Sequence, residues 1–141
     1  MIQRRIKGIQ ERKQLTDVWK DNGVTLEYEY AILTNEIYKT WSGMTSNDYK
    51  KYKGLRKENL RDNMDNIELI LTDLSEEATK RLASKKKPHG LKENIEIAKK
   101  GGNVAKVARE QLEENLGEAV VTSNNKLNYQ YVEDKNLTNK K

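Results

Sequence analysis

The chemistry this sequence offers is concentrated in two basic runs. Residues 50–61 hold Lys50, Lys51, Lys53, Arg56, Lys57 and Arg61 against a single acid, Glu58, with Tyr49 and Tyr52 beside the lysines. Residues 80–87 hold Lys80, Arg81, Lys85, Lys86 and Lys87 and no acid. Ammonium and guanidinium groups displace the condensed counterions of a phosphate backbone, and a neighbouring aromatic ring gives an exposed base a face to stack on. Lys50, Lys51, Tyr52, Lys53, Arg56, Lys57 and Arg61, with Lys85, Lys86 and Lys87, are therefore the candidate residues for contact with a nucleic acid or a partner protein. The same pattern has a plainer use. Cations at a helix C-terminus complement its dipole, as Lys85–Lys87 would, and a lysine rim keeps a domain in solution.

Other chemistries lack their parts. Cysteine is absent and His89 is the one histidine, which excludes thiolate zinc sites, disulfides, cysteine nucleophiles and multi-histidine metal sites. Asp62, Asp65 and Asp73, or Glu113 and Glu114, could pair for acid–base work or magnesium, but none accompanies a phosphate loop or a histidine. They read as solvated helix faces. Gly101-Gly102-Asn103 lacks the preceding strand of a dinucleotide loop. The expectation is a protein that is not an enzyme and uses no cofactor or metal. The net charge is +5, and no apolar run approaches the roughly 20 residues of a membrane span. No charged-then-apolar leader is visible, so a cytoplasmic location with no membrane partner is expected.

Helices must position these residues. Ile2, Ile6 and Ile9 form a helical stripe that fails after Ile9. Thr16 then reads as the cap of a short turn, 17–22, anchored by Trp19 and stopped by Gly23. Leu26, Tyr30, Leu33, Ile37 and Trp41 share one face of a second helix, with Thr25 as its cap and Gly43 as its stop. Thr45 and Asp48 fit the cap of a short third helix that closes at Gly54. Leu60, Met64, Ile67, Leu71, Leu74, Ala78 and Leu82 recur at heptad-like spacing, which predicts the longest helix, ending before Pro88. Its ends separate the two basic runs by roughly 30 Å at 1.5 Å per residue. A last helix carries Leu91, Ile95, Ala98, Ala105, Ala108, Leu112 and Leu116 and stops at Gly117. Gly101 and Gly102 either admit a neighbouring backbone or break that helix in two. Beyond it the pattern is lost, apart from a weak strand-like alternation at Val120-Val121 and Tyr129-x-Tyr131-Val132. The fold class is all-α: a multi-helix bundle with one long central helix over residues 1–117, and a mostly flexible polar C-terminal tail over 118–141.

The strings Thr40-Trp-Ser-Gly-Met-Thr45, Tyr49-Lys-Lys-Tyr-Lys-Gly-Leu55, Leu60-Arg-Asp-Asn-Met64 and Lys100-Gly-Gly-Asn-Val-Ala-Lys-Val-Ala-Arg109 add a family signal. In order and spacing they resemble the C-terminal half of the DNA-damage-inducible protein D (DinD) family, a half shared with Bro-N-type phage antirepressors. The resemblance covers about residues 1–121. It implies a bacterial or prophage regulator, associated with phage antirepression or, in the DinD branch, with the SOS response and restraint of RecA recombinase on single-stranded DNA. The Bro-N module is missing from this sequence, so its DNA-binding role is not carried over.

The expected function is a prophage-type regulatory binding module. Its partner would be DNA, single-stranded sooner than double-stranded, or a DNA-associated protein such as RecA recombinase or a phage repressor. The alternative is a structural oligomerisation module, a homodimer built on the 60–82 and 98–108 stripes, with no nucleic-acid binding.

Overall fold

A computed structural model describes residues 2–125, apart from the side chains of 2–8 and 11. These residues form five α-helices and one 3-10 turn: α1 Ile2–Asp21, α2 Glu27–Ser42, α3 Ser46–Tyr52, the turn Arg61–Asn63, α4 Asn66–Lys86 and α5 Gly90–Leu116. The all-α expectation holds. The alternation at Tyr129, Tyr131 and Val132 lies outside the described residues, as do the side chains of Ile2 and Ile6.

Helix α4 is the centre of the bundle. Helix α1 runs parallel to it, with Arg12 meeting Glu76 and Gln14 meeting Lys80. Helix α5 returns antiparallel to α4, and its two glycines explain how close the helices come. A Cβ on Gly101 would lie 2.7 Å from Thr79 Cα of α4, and one on Gly102 would lie 2.8 Å from Thr40 Cβ of α2. Neither distance is tolerable for real atoms, so the pair is the contact surface of three helices, and α5 continues through it unbroken. At 27 residues α5, not α4 at 21, is the longest helix.

Several boundaries follow the expected chemistry. Gly43 and Gly117 stop α2 and α5 in the left-handed conformation, with φ of 85° and 75°. Thr45 caps α3 by accepting from the Asp48 amide. Helix α4 stops at Lys87, one residue before Pro88. Three boundaries differ. Helix α1 is continuous, because Thr16 donates its hydroxyl hydrogen back to the Arg12 carbonyl within the helix and caps nothing. Leu26, not Thr25, is the N-cap position of α2, where the Glu29 carboxylate accepts from its amide. Helix α4 starts at Asn66 rather than near Leu60: Asp65 and Glu68 exchange side-chain-to-backbone bonds in a capping box, and Leu60 and Met64 reach the core from the preceding turn.

Much of the 60–82 and 98–108 stripes packs within the chain, although Ala108 is exposed. Leu71, Ala98, Gly102 and Ala105 are buried, as are Trp19, Leu33, Ile37 and Trp41. The most buried line along α4 is polar: Glu68, Thr72, Ser75, Glu76 and Thr79. Thr72, Ser75 and Thr79 satisfy their hydroxyls on carbonyls of their own helix, and small side chains there let neighbours approach. Past Gly117 the chain docks on the bundle: Val120, Val121 and Asn125 are buried against it.

Candidate functional site

Helix α3 sorts its residues by angle, at ~100° per residue. Tyr49 and Lys53, four apart, face the core. Ser46 and Lys50 lie on one flank, and Lys51 and Tyr52 face solvent. Tyr49 packs against Trp41 and Tyr38 of α2, with ring centroids 6.1 and 6.2 Å away. Its hydroxyl donates to Glu68. Lys53 is fully enclosed. Its Nζ reaches Glu68 Oε1 at 3.0 Å and the carbonyls of Thr122 and Asn124 at 2.8 and 2.7 Å. The ammonium also sits 5.5 Å from the Tyr49 ring centroid. Asn125 donates its side-chain amide to the Lys53 carbonyl. Three ammonium donors meet three acceptors, so no capacity is left for a ligand. Lys53 is thus withdrawn from the candidate set: it is a buried strut that ties α3, the start of α4 and the segment after α5. Burial pushes the Glu68 carboxyl above its ordinary range, opposed by bonds from Tyr49 and Lys53. Burial, with the Glu68 charge beside it, raises the Tyr49 phenol well above 10.0.

A second ionic cluster lies further along α4. Arg61 bonds Asp73 at 3.3 Å and also Glu76, and Glu76 is shared with Arg12 of α1 at 3.3 Å. Arg12 in turn stands 5.7 Å from the Trp19 ring centroid. Burial works against the Arg61 charge, but Glu76, Tyr38 and Asp73 together hold its pKa above the ordinary value. Desolvation likewise raises the neighbouring Tyr38 phenol, and the Arg61 charge partly offsets this. Arg61 is therefore also corrected: its charge is largely neutralised, and its side chain is 11% exposed.

Unlike the Lys53 network, this cluster borders an opening. Tyr38, Ser46, Lys50, Lys57, Asn59, Leu60 and Arg61 line a cleft of about 330 Å³. Lys51, Tyr52, Arg56 and Lys57 are exposed, and Lys50 is half-buried. Among the described residues no ion pair involves Lys50, Lys51 or Lys57. The structure thus keeps five of the first run's candidates at the surface.

Lys85, Lys86 and Lys87 are exposed at the C-terminus of α4, where cations suit the dipole. Arg61 reaches Asp73 and Glu76 near the middle of α4, so this end of the first run is roughly 15 Å of helix rise from Lys86. At that end the runs are closer than the sequence spacing implied. Among the described residues no acidic or histidine cluster could hold a metal ion, and no helix is long and apolar enough to cross a membrane. His89 is exposed in the α4–α5 loop, where its ring flanks Gly23.

Sequence reasoning could have found the strut. Tyr49 and Lys53 share a helix face, and Asp65-x-x-Glu68 is a legible capping box that brings a carboxylate to the start of α4. The partner carbonyls of residues 122 and 124 carry no side-chain signature, so that part of the network was hidden.

No curated protein and no solved structure matches the chain. The family model for the DinD C-terminal domain matches residues 2–132, nearly the whole sequence and the span in which the quoted strings fall. The bundle of α1–α5, with the segment docked behind Lys53, is therefore the fold of that domain, and the chain belongs to the DinD C-terminal domain family.

Proposed function

We propose that this domain is a prophage-type regulatory binding module, not an enzyme, and that its contact face is α3 with the loop that follows. One observation carries the reading. Lys50, Lys51 and Lys57 have no ion pair among the described residues, and with exposed Arg56 they flank Tyr52 in sequence, itself 49% exposed. Uncompensated cations beside an open aromatic ring suit a single strand, whose phosphates release counterions and whose bases stack. The family's association with phage antirepression and with RecA on single-stranded DNA agrees with a cytoplasmic partner of this kind. Lys85–Lys87 serve the end of α4 and add at most a distant phosphate contact.

Titration of labelled single- and double-stranded oligonucleotides at two salt concentrations tests the reading. Lys51→Gln and Arg56→Gln should each reduce the log–log salt slope by about 1. Tyr52→Ala should weaken single-strand binding by roughly 1–3 kcal/mol and leave the melting temperature unchanged. Absence of binding at low salt would remove nucleic acid and leave a DNA-associated protein as the partner.

A further inference from the structure

The cleft beside α3 has a more specific chemistry than the face around it. Its walls come from three elements: Tyr38 from α2, Ser46 and Lys50 from α3, and Lys57, Asn59, Leu60 and Arg61 from the connection to α4. No acid lines it. Glu58, the nearest acid in sequence, is turned to the Arg56 backbone amide. Arg61 is held rigid by Asp73 and Glu76. The uncompensated charge facing the cleft is therefore that of Lys50 and Lys57. Asn59 and Tyr38 add neutral donors. Asn59 uses its side-chain oxygen to accept from the Asp62 amide, and its NH₂ bonds nothing else among the described residues. Tyr38 remains a protonated phenol at neutral pH. Ser46 gives its hydroxyl hydrogen to Asn35 and offers only an acceptor.

We propose that this cleft binds a phosphomonoester. Two free cations match a group that carries nearly two negative charges at neutral pH, whereas an internal phosphodiester brings one. The volume, about 330 Å³, is at the lower end of small-molecule sites and holds a phosphate with part of a nucleoside, not a folded macromolecule. The phosphomonoester could be the 5′ end of a strand or belong to a free nucleotide. Only the first source rests on the nucleic-acid reading above.

The test uses the full chain and three probes: inorganic phosphate, adenosine 5′-monophosphate, and one oligonucleotide with either a 5′-phosphate or a 5′-hydroxyl. Phosphate should shift the amide resonances of Ser46, Lys50, Lys57 and Asn59 more than chloride at equal ionic strength. The 5′-phosphorylated strand should bind roughly tenfold tighter than its 5′-hydroxyl twin, the factor one charge-assisted hydrogen bond supplies. Lys50→Gln and Lys57→Gln should each erase that preference with no change in melting temperature, because both side chains reach solvent. Lys92→Gln, on exposed α5 surface, should retain it. Shifts with phosphate or the mononucleotide but no strand binding would support the cleft with a free nucleotide and overturn the strand reading. Equal affinity for both strands, unaffected by Lys50→Gln, would overturn the cleft and leave the strand reading standing. No cleft shifts with any probe would overturn the inference outright.

Discussion

Lys53 and Arg61 are both cations of the same basic run, and both are paired with carboxylates of α4. Their surroundings differ. Around Lys53 every donor finds an acceptor inside the protein, and the backbone of residues 122–124 covers the pair. Around Arg61 the carboxylates lie on one side and a cleft on the other, with Lys50 and Lys57 across it. A charge enclosed by its own acceptors holds the fold together. A charge fixed in place beside free cations prepares a surface for an anion. Equal residue types in one run thus divide into structure and site according to how completely they are satisfied.

The comparison breaks most visibly at the closed pair. Glu68→Leu or Lys53→Met leaves one buried charge without its partner and should cost about 3–5 kcal/mol in urea denaturation. The double variant should lose less than either single one, since neither charge is then stranded. Costs no larger than those of a surface substitution would show that water reaches the pair.

Arg61→Leu tests the open cluster and should cost less, about 1–3 kcal/mol by the same measurement. Arg12 still reaches Glu76, and water can enter from the cleft. A loss equal to that of Glu68→Leu would remove the distinction between the two clusters.

An alkaline titration sharpens it further. Tyr38 and Tyr49 have phenols raised above 10.0, mainly by burial. An acid with a raised folded pKa contributes stability that is complete below its unfolded value and is lost as pH rises above it. Stability should therefore fall above pH 10.0, where the unfolded chain ionises these phenols and the folded chain does not. Absorbance near the phenolate band should show a phenolate signal that appears only on unfolding, and Tyr49→Phe should reduce it and flatten the decline. The smallest effect belongs to the second run: Lys86→Gln should change stability by no more than about 0.5 kcal/mol.

Local signals made much of this fold legible. Gly43, Gly117, Thr45 and Pro88 mark boundaries through backbone chemistry that acts within a few residues, and the Gly101-Gly102 pair pointed to close packing. What the sequence concealed came from tertiary position. A helix surrounded by α1, α2 and α5 buries a polar line, so Glu68, Thr72 and Glu76 look solvated in a pattern built for helices with one wet face. The apolar rhythm of Leu60 and Met64 ran into the true helix and obscured its start at the Asp65–Glu68 box. Lys53 was assigned to the surface by its type, and only the fold shows that it lies beneath the chain leaving α5. The exposed part of the site, Lys50, Lys51, Tyr52, Arg56 and Lys57, was legible because nothing distant covers it.

The Lys53 ammonium grips main-chain oxygens at 122 and 124, a group that every amino acid carries. Substitution at those two positions therefore leaves the grip intact as long as the backbone keeps its course. Selection on this contact falls on the lysine and on the route of the segment it holds, while the side chains at 122 and 124 are not what it grips. Relatives should accordingly keep a lysine at this place, just after α3, even where their C-terminal segments no longer align.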